Sequence, residues 1–394
     1  MANIVILGGS FGGLTAVFQL RRRLGRSHKI ILIANTEEFV FTPSLPWVAM
    51  GWKKAHNIVF SVRATLESMG VEFIKANVTN IDPSAQNVTA GDGTIAYDYL
   101  CIATGADFDF ESVPGLGPEK GYTHSIDNLK NALKAKQALQ TFLEEPGPVV
   151  LGATQGVSCF GPVYELAFMM DYFLRKQGIR DKVPMYFLTS EPFIGHMGVG
   201  GLGRSRKALE DEFYERDINF LTNTIIERVT PDQVLLQDGR KIPYKYSMIF
   251  PALRGVSAVR NCPGLANEKG FIPVDQFQQH IKYNNIYAVG VTVAIAPKET
   301  TPVPTAVPKT GYMSEQMAKI AAYNISARIK GTELKSYNPE VICILDTGQK
   351  GFFMVAKPLL PPRNTRIVKE GRWAHWLKIA LEKYHMWKLK HGMI

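Results

Sequence analysis

The stretch Ile4-Val5-Ile6-Leu7-Gly8-Gly9-Ser10-Phe11-Gly12-Gly13 decides the fold. Its apolar run reads as a buried strand that breaks at a glycine-rich turn. A helical pattern then continues to about Leu24, and a second β run, Ile30-Ile31-Leu32-Ile33, follows at the spacing of a βαβ unit. Glycines permit the tight turn and let backbone N–H groups approach a pyrophosphate at the positive end of the helix. Two positions depart from the dinucleotide fingerprint: Ser10 takes the place of the middle glycine, and Asn35 stands where the second strand ordinarily ends in an acid for the ribose. The turn alone leaves a plain strand-to-helix connection open.

Two later segments extend the reading. Tyr97 to Gly105 is a buried-strand pattern ending in Ala103-Thr104-Gly105, a turn common in flavin disulfide-reductase-like folds. Asn285-Ile286-Tyr287-Ala288-Val289-Gly290 resembles the strand and glycine that close the flavin site in those folds. Together they imply a flavin domain interrupted by another unit, which starts near Pro148-Val149-Val150-Leu151-Gly152 with a second strand, turn and helix. In that second turn Thr154 and Val157 occupy two of three glycine positions, so backbone approach to a nicotinamide dinucleotide is expected to be hindered. Cys159 follows where the helix would begin. A helix N-terminus stabilises thiolate, which makes Cys159 a candidate reactive thiol, with a small buried residue of a core helix as the alternative.

Size and composition bound the rest. With 394 residues the chain exceeds one ordinary core and predicts two to three domains; 46% hydrophobic and 20% charged residues describe a folded globular protein. Cys101, Cys159, Cys262 and Cys343 are too few and too scattered for a disulfide scaffold, and no CxxC pair offers zinc-ligand spacing, so no metal is expected. Cys101, in a buried-strand pattern, and Cys262, in a turn, read as non-catalytic. The N-terminus runs into a strand without a basic or apolar leader, so no signal peptide is expected. No run approaches about twenty apolar residues, which excludes an ordinary membrane-spanning helix. The net charge of +10 points to an anionic partner.

Three motifs resemble those of sulfide:quinone oxidoreductases: Phe41-Thr42-Pro43-Ser44-Leu45-Pro46-Trp47, Gly156 to Glu165, and Thr301 to Tyr312. The similarity covers essentially the whole chain. It implies an FAD enzyme that oxidises hydrogen sulfide to polysulfide or elemental sulfur and reduces membrane quinone, through a redox cysteine pair and a thiol–flavin adduct. By this resemblance the pair is Cys159 and Cys343. Glu165 and His196 are proton-transfer candidates, and Phe352, Phe353 and Tyr312 are candidates for the quinone pocket. Cofactor contacts fall on Gly8, Ser10, Phe11, Gly12, Gly13, Asn35, Pro43, Thr104, Gly105, Gly290, Lys309, Thr310 and Gly311, with Lys309 near the edge of the flavin that becomes anionic. The third cysteine of many relatives would fall near His124, and Asn128 replaces a family histidine. Alternatives left open are a type II NADH:quinone oxidoreductase, a flavocytochrome c-type sulfide dehydrogenase subunit and a flavin-binding membrane-associated protein without turnover.

The tail adds a partner. Trp373, Leu377, Ala380, Tyr384 and Trp387 recur at helical spacing, Trp376, Ile379 and Leu381 widen the face, and Lys378, Lys383, Lys388 and Lys390 supply cations. Three of the chain's five tryptophans lie here, and residues 361–394 hold eight Lys and Arg against two Glu, more than half of the net +10. This composition predicts an interfacial helix on an anionic bilayer, hence a peripheral, monotopic protein of the cell membrane. A twin subunit in a homo-oligomer is the alternative cover for that face. No nucleic-acid-binding motif accompanies the basic residues. The expected fold class is α/β: two Rossmann-like domains plus a C-terminal amphipathic, membrane-contacting segment. The FAD domain covers 1–110 and 270–330, the second Rossmann-like domain 111–269, and the C-terminal segment 331–394.

Overall fold

The computed structural model describes residues 1–393. Its first sheet is parallel, with strands in the order Ile286–Ala288, Tyr99–Ile102, Asn3–Leu7, Lys29–Ala34 and Glu72–Lys75. The second is built the same way: Ile218–Leu221, Met185–Leu188, Val149–Ala153 and Tyr246–Phe250, again all parallel. Parallel strands covered on both faces become continuous apolar runs rather than alternating ones, and Asn3–Leu7 and Val149–Ala153 are such runs, almost wholly buried. Each is followed by a glycine-containing turn and a long helix, Phe11–Leu24 in one case and Gly161–Lys176 in the other.

Ile286–Ala288 returns from far along the chain to pair with Tyr99–Ile102, so the first sheet is closed only after the second has been made. From it the chain passes through the segment rich in proline to the helix Gly311–Lys330, which packs along Phe11–Leu24. The Thr310 side chain accepts the Met313 N–H at its start, and Gly331, at φ +69°, ends it in the left-handed conformation. Asn128 also acts as a cap, accepting the Asn131 N–H at 2.9 Å to start the helix Leu129–Phe142.

The last part of the chain is an antiparallel sheet, Val341–Asp346, Gly351–Lys357 and Thr365–Gly371, followed by the helix Arg372–Lys390. Val341–Asp346 lies between that helix and Gly161–Lys176. The terminal helix has the two faces its periodicity predicts, but their contents need one correction. Lys378 does not join the outer lysines. Together with Ala374, Glu382, Met386 and Leu389 it forms the inward face, while Trp373, Trp376, Leu381, Tyr384 and Trp387 are exposed. Lys378 turns inward because Glu165 is waiting there, and Glu382 because the Lys53 ammonium and the Ser44 hydroxyl meet it. Among the described residues no helix is long and apolar enough to cross a membrane.

Candidate active site

The first turn is a cradle shaped by backbone contact. Gly8 has φ +104°, and a Cβ there would stand 2.3 Å from the Ala103 carbonyl oxygen; one at Gly13 would stand 1.7 Å from the Gly8 oxygen. Only glycine allows strand, turn and helix to close to this distance. Ser10 precedes the helix without capping it, and the hydroxyls of Thr15, Thr104 and Thr292 are buried without a protein partner. Thr104 belongs to the Ala-Thr-Gly turn, and Thr292 lies in the short 3₁₀ turn that begins at Gly290. Gly290 itself, at φ +78°, abuts Ser314: an added Cβ would meet its hydroxyl at 2.8 Å. An uncapped helix start, close backbone and orphaned hydroxyls fit a dinucleotide pyrophosphate such as that of FAD.

The outer members of the expected cofactor set lie around this cradle. Asn35 is exposed just past the second strand, and Pro43 lies in a short 3₁₀ turn leading into the helix Leu45–Ala49. Gly105, at φ +72°, ends its turn with open space where a Cβ would go. Gly311 rests on the Phe11 ring, tying the Gly311–Lys330 helix to the first turn. Lys309 is largely buried, its ammonium donating to the Val291 carbonyl at 3.1 Å and lying 3.4 Å from the centre of the Phe271 ring. Burial lowers its pKa to about 7, so a nearby negative charge would favour its protonated form.

The second turn is filled by the protein. A Cβ at Gly152 would strike the Leu188 carbonyl oxygen at 2.4 Å, Gln155 exchanges hydrogen bonds with the backbone of Ile226, and the Gly156 N–H is taken by the Pro304 carbonyl at 2.6 Å. Ala306 N–H donates to Val157 O at 2.9 Å, which straps the third motif across the second. The Gly156 N–H, a donor that would face a nicotinamide pyrophosphate, is thus engaged within the chain.

Beside this strap the two redox candidates meet. Cys343, on Val341–Asp346, has its Sγ 3.8 Å from where a Cβ on Gly161 would stand, two residues beyond Cys159. Both are unbonded thiols. The helix start does favour the Cys159 thiolate through the Gly161 N–H, but burial outweighs it and pushes that thiol up to about 11. Burial therefore opposes the helix-start effect that makes Cys159 a candidate reactive thiol. Burial, then the proximity of Cys159 and Glu165, raises Cys343 to about 12. Cys101 is completely buried, as its strand pattern predicts, and Cys262 nearly so.

Glu165 is no solvated helix carboxylate. Its Oε1 accepts the Asp346 N–H at 2.8 Å and pairs with the Lys378 ammonium, and burial raises it to about 7. Asp346, fully buried, accepts from Trp47 Nε1 at 2.7 Å and Gly348 N at 2.9 Å and pairs with His375 Nδ1 at 2.8 Å. Sequence reasoning missed Asp346, His375 and the inward role of Lys378; the only local signal was Asp346 lying three residues beyond Cys343. It also missed Glu191, buried under Tyr164 OH (2.6 Å), Thr189 Oγ1 (2.8 Å) and Met197 N–H (2.7 Å), which fixes the loop carrying His196.

His196 is buried; its Nδ1 accepts the Gly198 N–H, leaving Nε2 2.5 Å from Glu299 Oε1. Burial holds it below the usual imidazole range despite that carboxylate. Gly198 approaches Phe160, so the loop touches the residue after Cys159. Phe352 is wholly buried opposite Leu345, whereas Phe353 points to the other face, 5.7 Å from Trp373. Tyr312 donates to Glu340 at 2.6 Å. The His124 ring lies tilted against Tyr246, 4.7 Å between centroids, and burial lowers its pKa to about 4. Its backbone pairs beside Met248 in the middle of Tyr246–Phe250, the strand next to Val149–Ala153.

Two dinucleotide folds, one with a glycine cradle and the other leading into a helix start where two thiols meet, define a flavin-dependent oxidoreductase. The family model for pyridine nucleotide-disulphide oxidoreductases matches residues 2–154. The sulfide-quinone reductase of Aquifex aeolicus is 43% identical over 100% of this chain and 92% of its own. The mouse mitochondrial sulfide:quinone oxidoreductase is 26% identical over 88% of this chain and 76% of its own. The X-ray structure of the Aquifex aeolicus enzyme superposes with a TM-score of 0.96 at 42% identity, covering 100% of this chain and 92% of that one. The chain belongs to the sulfide:quinone oxidoreductase family. NDH2 from Plasmodium falciparum, solved with NADH, shares the fold at 16% identity and a TM-score of 0.73, over 100% of this chain and 96% of that one.

The cradle makes a direct prediction. Gly13→Ala, with a methyl forced onto the Gly8 carbonyl, is expected to purify without visible flavin absorbance; a variant that retains stoichiometric FAD would contradict the assignment.

Proposed function

We propose that this chain is an FAD-dependent sulfide:quinone oxidoreductase in which Cys159 and Cys343 handle the sulfur. The reaction is HS⁻ + quinone + H⁺ → S⁰ + quinol, with sulfur retained as polysulfide until it leaves. The observation that carries the cysteine assignment is the placement of Cys343 against the helix start that follows Cys159, beside one buried carboxylate.

In the oxidised pair, hydrosulfide attacks one sulfur of the bond joining the cysteines. A persulfide forms on that cysteine, and the other leaves as thiolate. In this reading Glu165, as a carboxylate, accepts the hydrosulfide proton, and a pKa near 7 suits it to do so at neutral pH. Rejoining the two cysteines through the added sulfur releases an electron pair. FAD, when bound, supplies the two-electron link from sulfide to quinone. The residues that would hold it are Gly8 to Gly13, Thr104 and Gly290, and Lys309 would balance negative charge. His196, bridged to Glu299, is a second proton carrier at the strap.

NADH is a poor donor in this reading because Gln155 and Pro304 occupy the second turn. Anaerobic sulfide is expected to bleach the flavin, NADH is not, and Cys159→Ser is expected to abolish bleaching by sulfide. Bleaching by NADH alone would overturn the activity, and a wild-type rate in Cys159→Ser would remove the cysteine mechanism.

The outward face of Arg372–Lys390 supports contact with an anionic bilayer of the cell membrane. Trp376 is 66% and Tyr384 54% exposed, flanked by Lys383 and Lys390. A hydrophobic quinone is collected from such a surface. Trp376→Ala/Trp387→Ala is expected to lose co-sedimentation with vesicles containing anionic lipid while keeping its FAD. Unchanged sedimentation, accompanied by a lower oligomeric mass in light scattering, would assign the face to a second copy of the chain.

A further inference from the structure

Lys378 is a buried cation on a helix whose other lysines reach water. Its ammonium pairs with Glu165 Oε1 and lies 4.9 Å from the centre of the Trp47 ring, and both members of the ion pair are almost completely buried. Removing two charges from water is costly, and the pair is tolerated because each satisfies the other and the Asp346 N–H completes the carboxylate. Lys378 therefore does more than attach the helix, a role that Ala374, Met386 and Leu389 serve through apolar burial.

We infer that Lys378 is a positioning residue for the sulfide half-reaction: carried inward by the surface helix, its ammonium keeps Glu165 in the proton-accepting carboxylate form beside Cys159 and Cys343. This rests on the proposed sulfide oxidation and assigns a tuning element to it. The groups that face Glu165 come from three elements. From its own helix start there is the Cys159 thiol. From Val341–Asp346 there are the Cys343 thiol and the Asp346 carboxylate, which repels it, together with the Asp346 N–H, which binds it. From the terminal helix there is Lys378. His375, on that same helix, spends its Nδ1 on Asp346. Burial and Asp346 thus favour the neutral acid, and against them stand two groups, the Lys378 charge and one backbone N–H. Without the ammonium the carboxyl stays protonated through neutral pH, and the proton of the attacking hydrosulfide loses its acceptor.

The sign follows from this arrangement. A group that must be ionised to work gives an acid limb at its own pKa, and deleting a cation moves that limb to higher pH. The test is the pH profile of anaerobic flavin bleaching by sulfide in stopped flow. Reoxidation of the prereduced protein by decylubiquinone serves as a second readout, and flavin content and circular dichroism check folding. Lys378→Met is expected to move the acid limb up by about one pH unit or more, a roughly tenfold loss of rate below it. Lys378→Arg is expected to restore the limb, and reoxidation is expected to stay at its wild-type rate. The ionisation of sulfide itself is common to all variants. Should Lys378→Met not fold, Glu165→Gln/Lys378→Met leaves no unpaired buried charge and is expected to lose the limb altogether.

An unmoved limb in Lys378→Met, or a wild-type limb in the double variant, would overturn the inference. So would a defect confined to reoxidation, which would assign Lys378 to the quinone side. A wild-type protein that sulfide does not bleach would overturn the activity, and this inference with it.

Discussion

A carboxylate buried beside two thiols has to be satisfied from within, and the partners of Glu165 bring the end of the chain to its middle. Its Oε1 receives the Asp346 N–H and the Lys378 ammonium, so Gly161–Lys176, Val341–Asp346 and Arg372–Lys390 share one junction. Docking the strand there places Cys343 against the helix start next to Cys159. Asp346 extends the junction to Trp47 and His375, which adds the Phe41–Trp47 motif and a second contact from the terminal helix. Breaking such a pair leaves an uncompensated buried charge, which costs about 3–5 kcal/mol. The outward aromatic face of the helix follows from the same constraint: with Lys378 and Glu382 committed to the interior, Trp376, Tyr384 and Trp387 remain for the outside.

The two dinucleotide folds show how one architecture is opened or closed by a few residues. In the first, glycines at 8 and 13 bring backbone against backbone where the Phe11–Leu24 helix begins. In the second, Gln155 binds Ile226 and Pro304 takes the Gly156 N–H, so the strand-turn-helix unit persists as a scaffold. Its helix has been turned to another use, presenting Cys159 before its first residue and Glu165 in its second turn.

Much of this was legible in the sequence because it is local. The Gly8–Gly13 turn and the strands at Tyr99 and Ile286 each carry their meaning within about ten residues. The sides of the terminal helix were not legible in the same way. Periodicity separates Lys378 from Trp376, yet it cannot tell which side faces inward when Glu165 and Lys53, the partners of Lys378 and Glu382, lie hundreds of residues away. The ionisation of Cys159 depended on a competition between a helix N-terminus, which sequence reveals, and burial, which only the packed fold determines. Asn128, by contrast, stands as a helix cap whose preference is a local property.

The central claim is that Cys159 and Cys343 act as one sulfur-carrying pair while Cys101 and Cys262 remain bystanders. It is tested most directly by peptide mass spectrometry of the folded protein, alkylated anaerobically after a limiting addition of sulfide. The account predicts added sulfur on the Cys159 and Cys343 peptides alone. Flavin fully reduced by sulfide with no added sulfur on either peptide, or sulfur added at Cys101 or Cys262 instead, would contradict it.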